Sequence, residues 1–246
     1  MSQTNKFPSE IVELPSKGLL YPQDSPLASG KLEMKYMTAK EEDILTNQNF
    51  IERGVVIDKL LQALIVDKKV EYNTLLIGDK NALLIAARIL GYGKEYEFSY
   101  GNGKELIDLS LLNNKTVDET QFKDGKNEFE WTAPATGTSI KFKLLTHGDE
   151  QKVQTEVRGL QKINKESSAE LSTRLKYMIL AVDGSEETKE IREFVDNRFL
   201  ARDSREFRKH IEKISPDVDM TFYPKDVEEG VSIPIGVTFL WPDANI

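Results

Sequence analysis

The chain contains no cysteine. That absence removes any disulfide framework and any thiolate metal site. Histidine is almost as scarce. His147 and His210 are the only two, far apart in sequence. A metal centre would have to lean on carboxylates, and no histidine-based catalytic pairing can be read. No long hydrophobic run occurs either: the most apolar stretch, Leu83 to Leu90, is short and interrupted by Arg88, so it cannot span a bilayer. Met1 to Pro8 is polar and lacks the apolar segment of a secretory signal. An excess of positive charge is also missing. The formal net charge of −8 argues against broad nucleic-acid binding, which needs a basic face to displace counterions. These absences lead us to expect a protein made in the cytoplasm, with no membrane, nucleic-acid partner or cofactor.

What is present is an ordinary folded composition. Hydrophobic residues at 39% and charged residues at 30% are enough for one sizeable core. The expected fold is α+β: a mainly helical body with a small inserted antiparallel β-hairpin module and extended N- and C-terminal arms. Residues 1–35 carry Pro8, Pro15, Pro22 and Pro26 with little periodicity, and predict an extended arm.

A helical part is expected over 36–93. Thr38 and Glu41 have capping-box spacing, and Val55 to Val66 is apolar on nearly all sides. Asp79 is positioned to cap a helix over Lys80 to Leu90 that stops at Gly91 and Gly93. Over 94–146 the period changes to two. Tyr96, Phe98 and Tyr100 alternate with polar residues, Gly101-Asn102-Gly103 turns, and Ile107, Leu109 and Leu111 follow. A second hairpin is expected from Asn127–Thr132 and Thr138–Thr146, giving a small sheet of about four strands.

Helices return over 147–215. Val153, Val157, Leu160 and Ile163 recur at helical spacing. Ser167 and Glu170 form another capping box, opening a helix with Leu171, Leu175, Met178, Ile179 and Val182 inward. Shorter helices are expected near Glu187–Asn197 and Arg202–Lys213, the last stopped by Pro216. Residues 216–246 end in a strand-like, aromatic tail.

Constellations that carry chemistry are few. Glu41-Glu42-Asp43 lies in a first helical turn, where the macrodipole favours negative charge, and Glu228-Glu229 has no companion base. Neither Gly91-Tyr92-Gly93 nor Gly101-Asn102-Gly103 has the setting of a phosphate loop. Arg198, Arg202, Arg205, Arg208, Lys209 and Lys213 are interleaved with Asp203, Glu206 and Glu212, which suits a solvated helix face. No catalytic or metal site stands out. The two ends do. Leu14, Leu19, Leu20 and Tyr21, with Phe239, Leu240 and Trp241, are costly to leave in water. Either they pack on their own domain or they anchor partner subunits.

Four strings carry a resemblance to a known family. They are Val12-Glu13-Leu14-Pro15-Ser16-Lys17-Gly18-Leu19-Leu20-Tyr21-Pro22, then Glu33 to Leu45 (EMKYMTAKEEDIL), then Ile77-Gly78-Asp79-Lys80-Asn81 through Gly91-Tyr92-Gly93, and Pro234 to Pro242 (PIGVTFLWP). In this order they resemble the baseplate hub proteins of T-even-like, contractile-tailed bacteriophages, over nearly the whole chain. The resemblance implies a non-enzymatic structural component of the tail baseplate hub, carried in the virion in several copies and bound to other hub and tail proteins. The alternative is a chaperone-like assembly factor that leaves. Members of that family carry cysteine pairs at the first hairpin in the manner of a zinc knuckle. Tyr100-Gly101-Asn102-Gly103 stands there in this chain, so no metal is expected.

Overall fold

The computed structural model describes residues 8–101, 103–123, 125–163, 169–224, 230–235 and 237–241. The Asn102 turn position, the Ser167 cap, Glu228-Glu229 and both chain ends lie outside the described residues. The fold is α+β, with short antiparallel sheets set among helices.

The predicted arm is a folded element. Strand β1 (Ser9–Glu13) pairs antiparallel with β2 (Lys31–Lys35), with Ser9 opposite Lys35 and Glu13 opposite Lys31. The chain between them doubles back so tightly that a Cβ on Gly18 would meet the Ala28 carbonyl oxygen at 2.3 Å. Pro15, Pro22 and Pro26 sit in the connection between the two strands, outside the ladder, where a missing N–H removes no strand hydrogen bond. That is why period alone shows no strand pairing here.

Helix α1 (Ala39–Leu45) begins as its sequence predicts: Glu41 accepts from the Thr38 backbone N–H at 3.1 Å and from its hydroxyl at 2.6 Å. Helices α2 (Gln48–Glu52) and α3 (Val56–Leu64) follow, with Leu60, Leu61 and Leu64 fully buried. The long α4 (Ile77–Tyr92) begins earlier than expected, after Leu76. Asp79 therefore does not cap it. Gly78 lets α4 approach a distant segment, since a Cβ there would overlap the Pro216 carbonyl oxygen at 1.9 Å.

Hairpin β3 (Glu95–Tyr100) and β4 (Gly103–Asp108) forms a sheet of its own, and β4 ends before Leu109 and Leu111, which the alternation placed in the strand but which lie in a 3-10 turn. Gly101 has φ +57, which the turn requires. The second hairpin, β5 (Phe129–Thr132) and β6 (Ser139–Phe142), does not join it. Its third strand is β7 (Ile179–Val182), a segment whose spacing predicts helix. Helix α6 (Glu170–Met178) stops just before it, and a four-residue apolar run has no period to read. The open side of β6 settles the matter by offering hydrogen bonds, and Lys143 donates to the Met178 carbonyl at 2.9 Å.

Helix α5 (His147–Ile163) is less buried than its spacing implies: Val153 is buried but Ile163 is 87% exposed. After α7 (Thr188–Glu193) and a π-turn over Phe194–Arg198, α8 (Ala201–Ile214) drives Phe207 into an aromatic cluster. Its ring lies 4.9 Å from Phe142 and 5.1 Å from Trp131. The cationic residues of α8 lie outward, and Lys209 pairs with Glu206. The strand-like tail is instead the pair β8 (Thr221–Phe222) and β9 (Val231–Ser232), then one helical turn, α9 (Val237–Leu240). One hydrophobic cluster runs from Leu14 to Leu240 through all five predicted segments, so they share a core.

Candidate functional site

Two buried polar clusters organise the molecule. In the first, Asp79 is fully buried. It accepts from the Ser16 backbone N–H (2.9 Å), the Ser16 hydroxyl (2.7 Å) and the Tyr21 hydroxyl (2.6 Å). Tyr21 in turn accepts from the Leu76 N–H at 2.9 Å. The network clasps the β1–β2 loop onto the start of α4.

The second cluster joins α3, α4 and α5. Asp58 accepts from Lys80 at 2.6 Å and from the Tyr72 hydroxyl at 3.0 Å, while Lys80 donates to His147 Nδ1 at 3.1 Å. His147 Nε2 sits 3.4 Å from Asp58 without hydrogen-bond geometry, and its ring meets Tyr72 edge-on at 4.7 Å. Burial, then the Lys80 charge, pushes the His147 pKa below its ordinary value against the pull of Asp58, so the ring is neutral and the contact is no ion pair.

The sign of the pH effect follows. The unfolded chain takes up the histidine proton first on acidification, so stability falls as pH drops through the unfolded value of about 6.5. His210 shifts the same way, through burial and Lys213. Melting temperatures between pH 7.5 and 5.5, at roughly one-unit steps about that value, should therefore decline. The decline should be shallower in His147→Asn, whose Oδ1 can still accept from Lys80. An equal slope in both chains would refute this.

The predicted anchors do not stand clear of the fold. Leu14, Leu20 and Tyr21 are buried in the chain's own core, as are Phe239 and Leu240. The Phe239 ring packs against Tyr96 at 4.8 Å, and Trp241 is half-buried against the core. Leu19, 41% exposed, is the most open of the set. Apolar residues at chain ends were legible, but the surface they cover is their own: α4 and the first hairpin supply it. Among the described residues no group of three or more His, Asp or Glu side chains is placed to hold a metal ion.

Among the described residues, the outer edge of β1 is left unpaired. Tyr36 N–H donates to the Pro8 carbonyl and Leu14 N–H to the Gly30 carbonyl. In an antiparallel ladder this turns the backbone groups of residues 8, 10, 12 and 14 towards β2, and those of Ser9, Ile11 and Glu13 away from it. The far side of β2 is covered, because Val66 donates to the Glu33 carbonyl and Ile65 bridges Met34. No other described strand pairs with β1.

Beside that edge lies an apolar groove of about 440 Å³. Its floor is Ala82, Ile85, Ala86 and Ile89 of α4, and its far wall includes Leu109 and Leu112. Ile11, 59% exposed, stands at its rim, with Glu10 and Glu13 beside it and no described cation in the lining. Sequence reasoning missed this surface because it needs the 9–35 hairpin to be seen. Glu10, Ile11, Val12 and Glu13 do not alternate, so nothing in the segment signals a strand by itself. No family model, curated protein or solved structure matches this chain.

Proposed function

We propose that the chain is a structural subunit of the baseplate hub of a contractile phage tail, holding neighbouring hub subunits through its surface. The single observation that supports this reading is the family resemblance of four strings spread over the chain, which fold against one another. Ser16 and Tyr21 of the first bind Asp79 of the third. Lys35 and Thr38 of the second bind Glu41 of the same string beside them. Phe239 and Leu240 of the fourth pack into the core that α4 helps to build. Such strings specify one scaffold, so likeness in all of them is likeness of a whole subunit rather than of a borrowed motif.

The anchoring role given to the terminal side chains is revised. Leu14, Leu20, Tyr21, Phe239 and Leu240 hold the subunit together, and partners must be met by Leu19, Trp241 and surfaces such as the β1 edge.

Quantitative mass spectrometry of purified mature particles, compared with assembly intermediates from infected cells, tests the proposal. A fixed, stoichiometric copy number in mature particles is the expected result. Presence only in intermediates would make the chain a departing assembly factor, and absence from both would overturn the reading.

A further inference from the structure

We propose that the outer edge of β1 is a docking site for an extended segment of a neighbouring chain, apolar at alternate positions and flanked by lysine or arginine. The segment adds to the sheet as a third strand and lays its inward side chains in the groove over α4. This rests on the reading of the chain as an assembly subunit, and it names the surface and the chemistry of the partner.

The backbone makes the first part of the case. Ser9, Ile11 and Glu13 present N–H and carbonyl groups away from β2, which a strand can pair at every second residue. Natural edges are commonly blunted by proline, lysine or a bulge. Strand β1 reads Ser-Glu-Ile-Val-Glu, with neither residue type, and its register with β2 is unbroken. Among the described residues its only guards are its shortness and the like charge of Glu10 and Glu13, which turns away acidic strands but not a basic one.

The floor makes the second. Ala82, Ile85, Ala86 and Ile89 recur at helical spacing along α4 beside the edge, with small side chains at two of the four positions. A strand over them would place alternate residues downward onto this stripe and the others outward beside Ile11.

Charge selects the occupant. β1 carries two carboxylates and no cation, and the groove lining adds none. Glu10 is held by the neutral Tyr36 hydroxyl, and Glu13 faces Lys31 in a well-exposed pair that a competing cation can replace. A second copy is the poorer occupant. It would bring four carboxylates to one short contact between two chains of formal charge −8.

The test uses the full chain and a fluorescent synthetic peptide of alternating valine and threonine with paired lysines at both ends. Binding is followed by anisotropy. Ile11→Pro removes an edge N–H that β2 does not use, so the hairpin survives while the edge is blocked. Glu10→Lys/Glu13→Lys reverses the rim charge at exposed positions and carries the comparison should Ile11→Pro melt early. Saturable binding to the wild-type chain is expected, at least about tenfold weaker in each variant and for a glutamate-flanked peptide.

Equal binding to wild type and variants would overturn the proposal, and so would no binding at all. Self-association of the wild-type chain that Ile11→Pro abolishes would overturn it in favour of a second copy. Copy number in particles is read separately. A chain present in particles but blind to the peptide refutes this site alone, and one that binds the peptide but is missing from particles refutes the hub reading alone.

Discussion

Replacing Phe239 by alanine is expected to destabilise the chain by about 3–5 kcal/mol, the range for deleting a buried aromatic side chain from a packed interior. Phe239 is fully buried although it lies close to the end of the sequence. Its ring meets Tyr96 edge-on, and the Tyr96 hydroxyl donates to the Pro234 carbonyl at 2.9 Å, so the same tyrosine holds the final segment twice. Few neighbours can relax into the space, because the surrounding cluster is tied to α4 and β3. Chemical denaturation of the purified chain measures the effect. A loss below about 1 kcal/mol would mean that the tail lies outside the cooperative core and is free to anchor a partner. Trp241→Ala, at a half-buried position, should cost clearly less.

Asp79→Ala is the second large effect, expected at about 3 kcal/mol. The substitution leaves the Ser16 and Tyr21 hydroxyls without their shared acceptor inside the protein, and it loosens the clasp between the first loop and α4. Asp79→Asn separates charge from shape. Burial is the main cause that raises the Asp79 carboxyl above its usual range, the Ser16 and Tyr21 bonds oppose it, and the Asp217 charge adds to it. With the folded pKa raised, the folded chain binds the proton more tightly than the unfolded one. This contribution is complete below the unfolded value of about 3.9 and disappears as pH rises through the folded value. Asparagine has no proton to lose. The deficit of Asp79→Asn relative to wild type should therefore be greatest in acid and narrow as pH increases. A deficit that widens instead would place a stabilised carboxylate at this position.

Reading the sequence reached as far as local chemistry reaches. The Thr38–Glu41 cap, helix α3, the first β hairpin as far as Asp108 and the end of α8 before Pro216 are all set by neighbours within a few residues, and each lies where spacing places it. Failures share one cause: a distant partner overrode the local pattern. Ile179–Val182 became a strand because β6 had an open side. Asp79 lies inside α4, which begins after Leu76, and its carboxylate accepts from the distant Ser16 and Tyr21 instead of capping the helix. Residues 9–13 became a strand because 31–35 returned beside them. The candidate docking edge was invisible for the same reason. The apolar anchors were identified correctly as residues that need cover, but sequence cannot say whose surface covers them.

The contact between Tyr96 and Phe239 also bears on when this protein can become itself during synthesis. More than half of the given sequence separates the two residues, so the cluster around Tyr96 stays incomplete until the segment around Phe239 has been made and has left the ribosome. Until then the nascent chain must keep an unfilled apolar site in water, the condition under which unfinished domains stick to one another or are held by chaperones. A product terminated before Phe239 would lack this packing partner and keep the apolar site around Tyr96 open. The position of one phenylalanine thus sets the earliest moment at which this core can close.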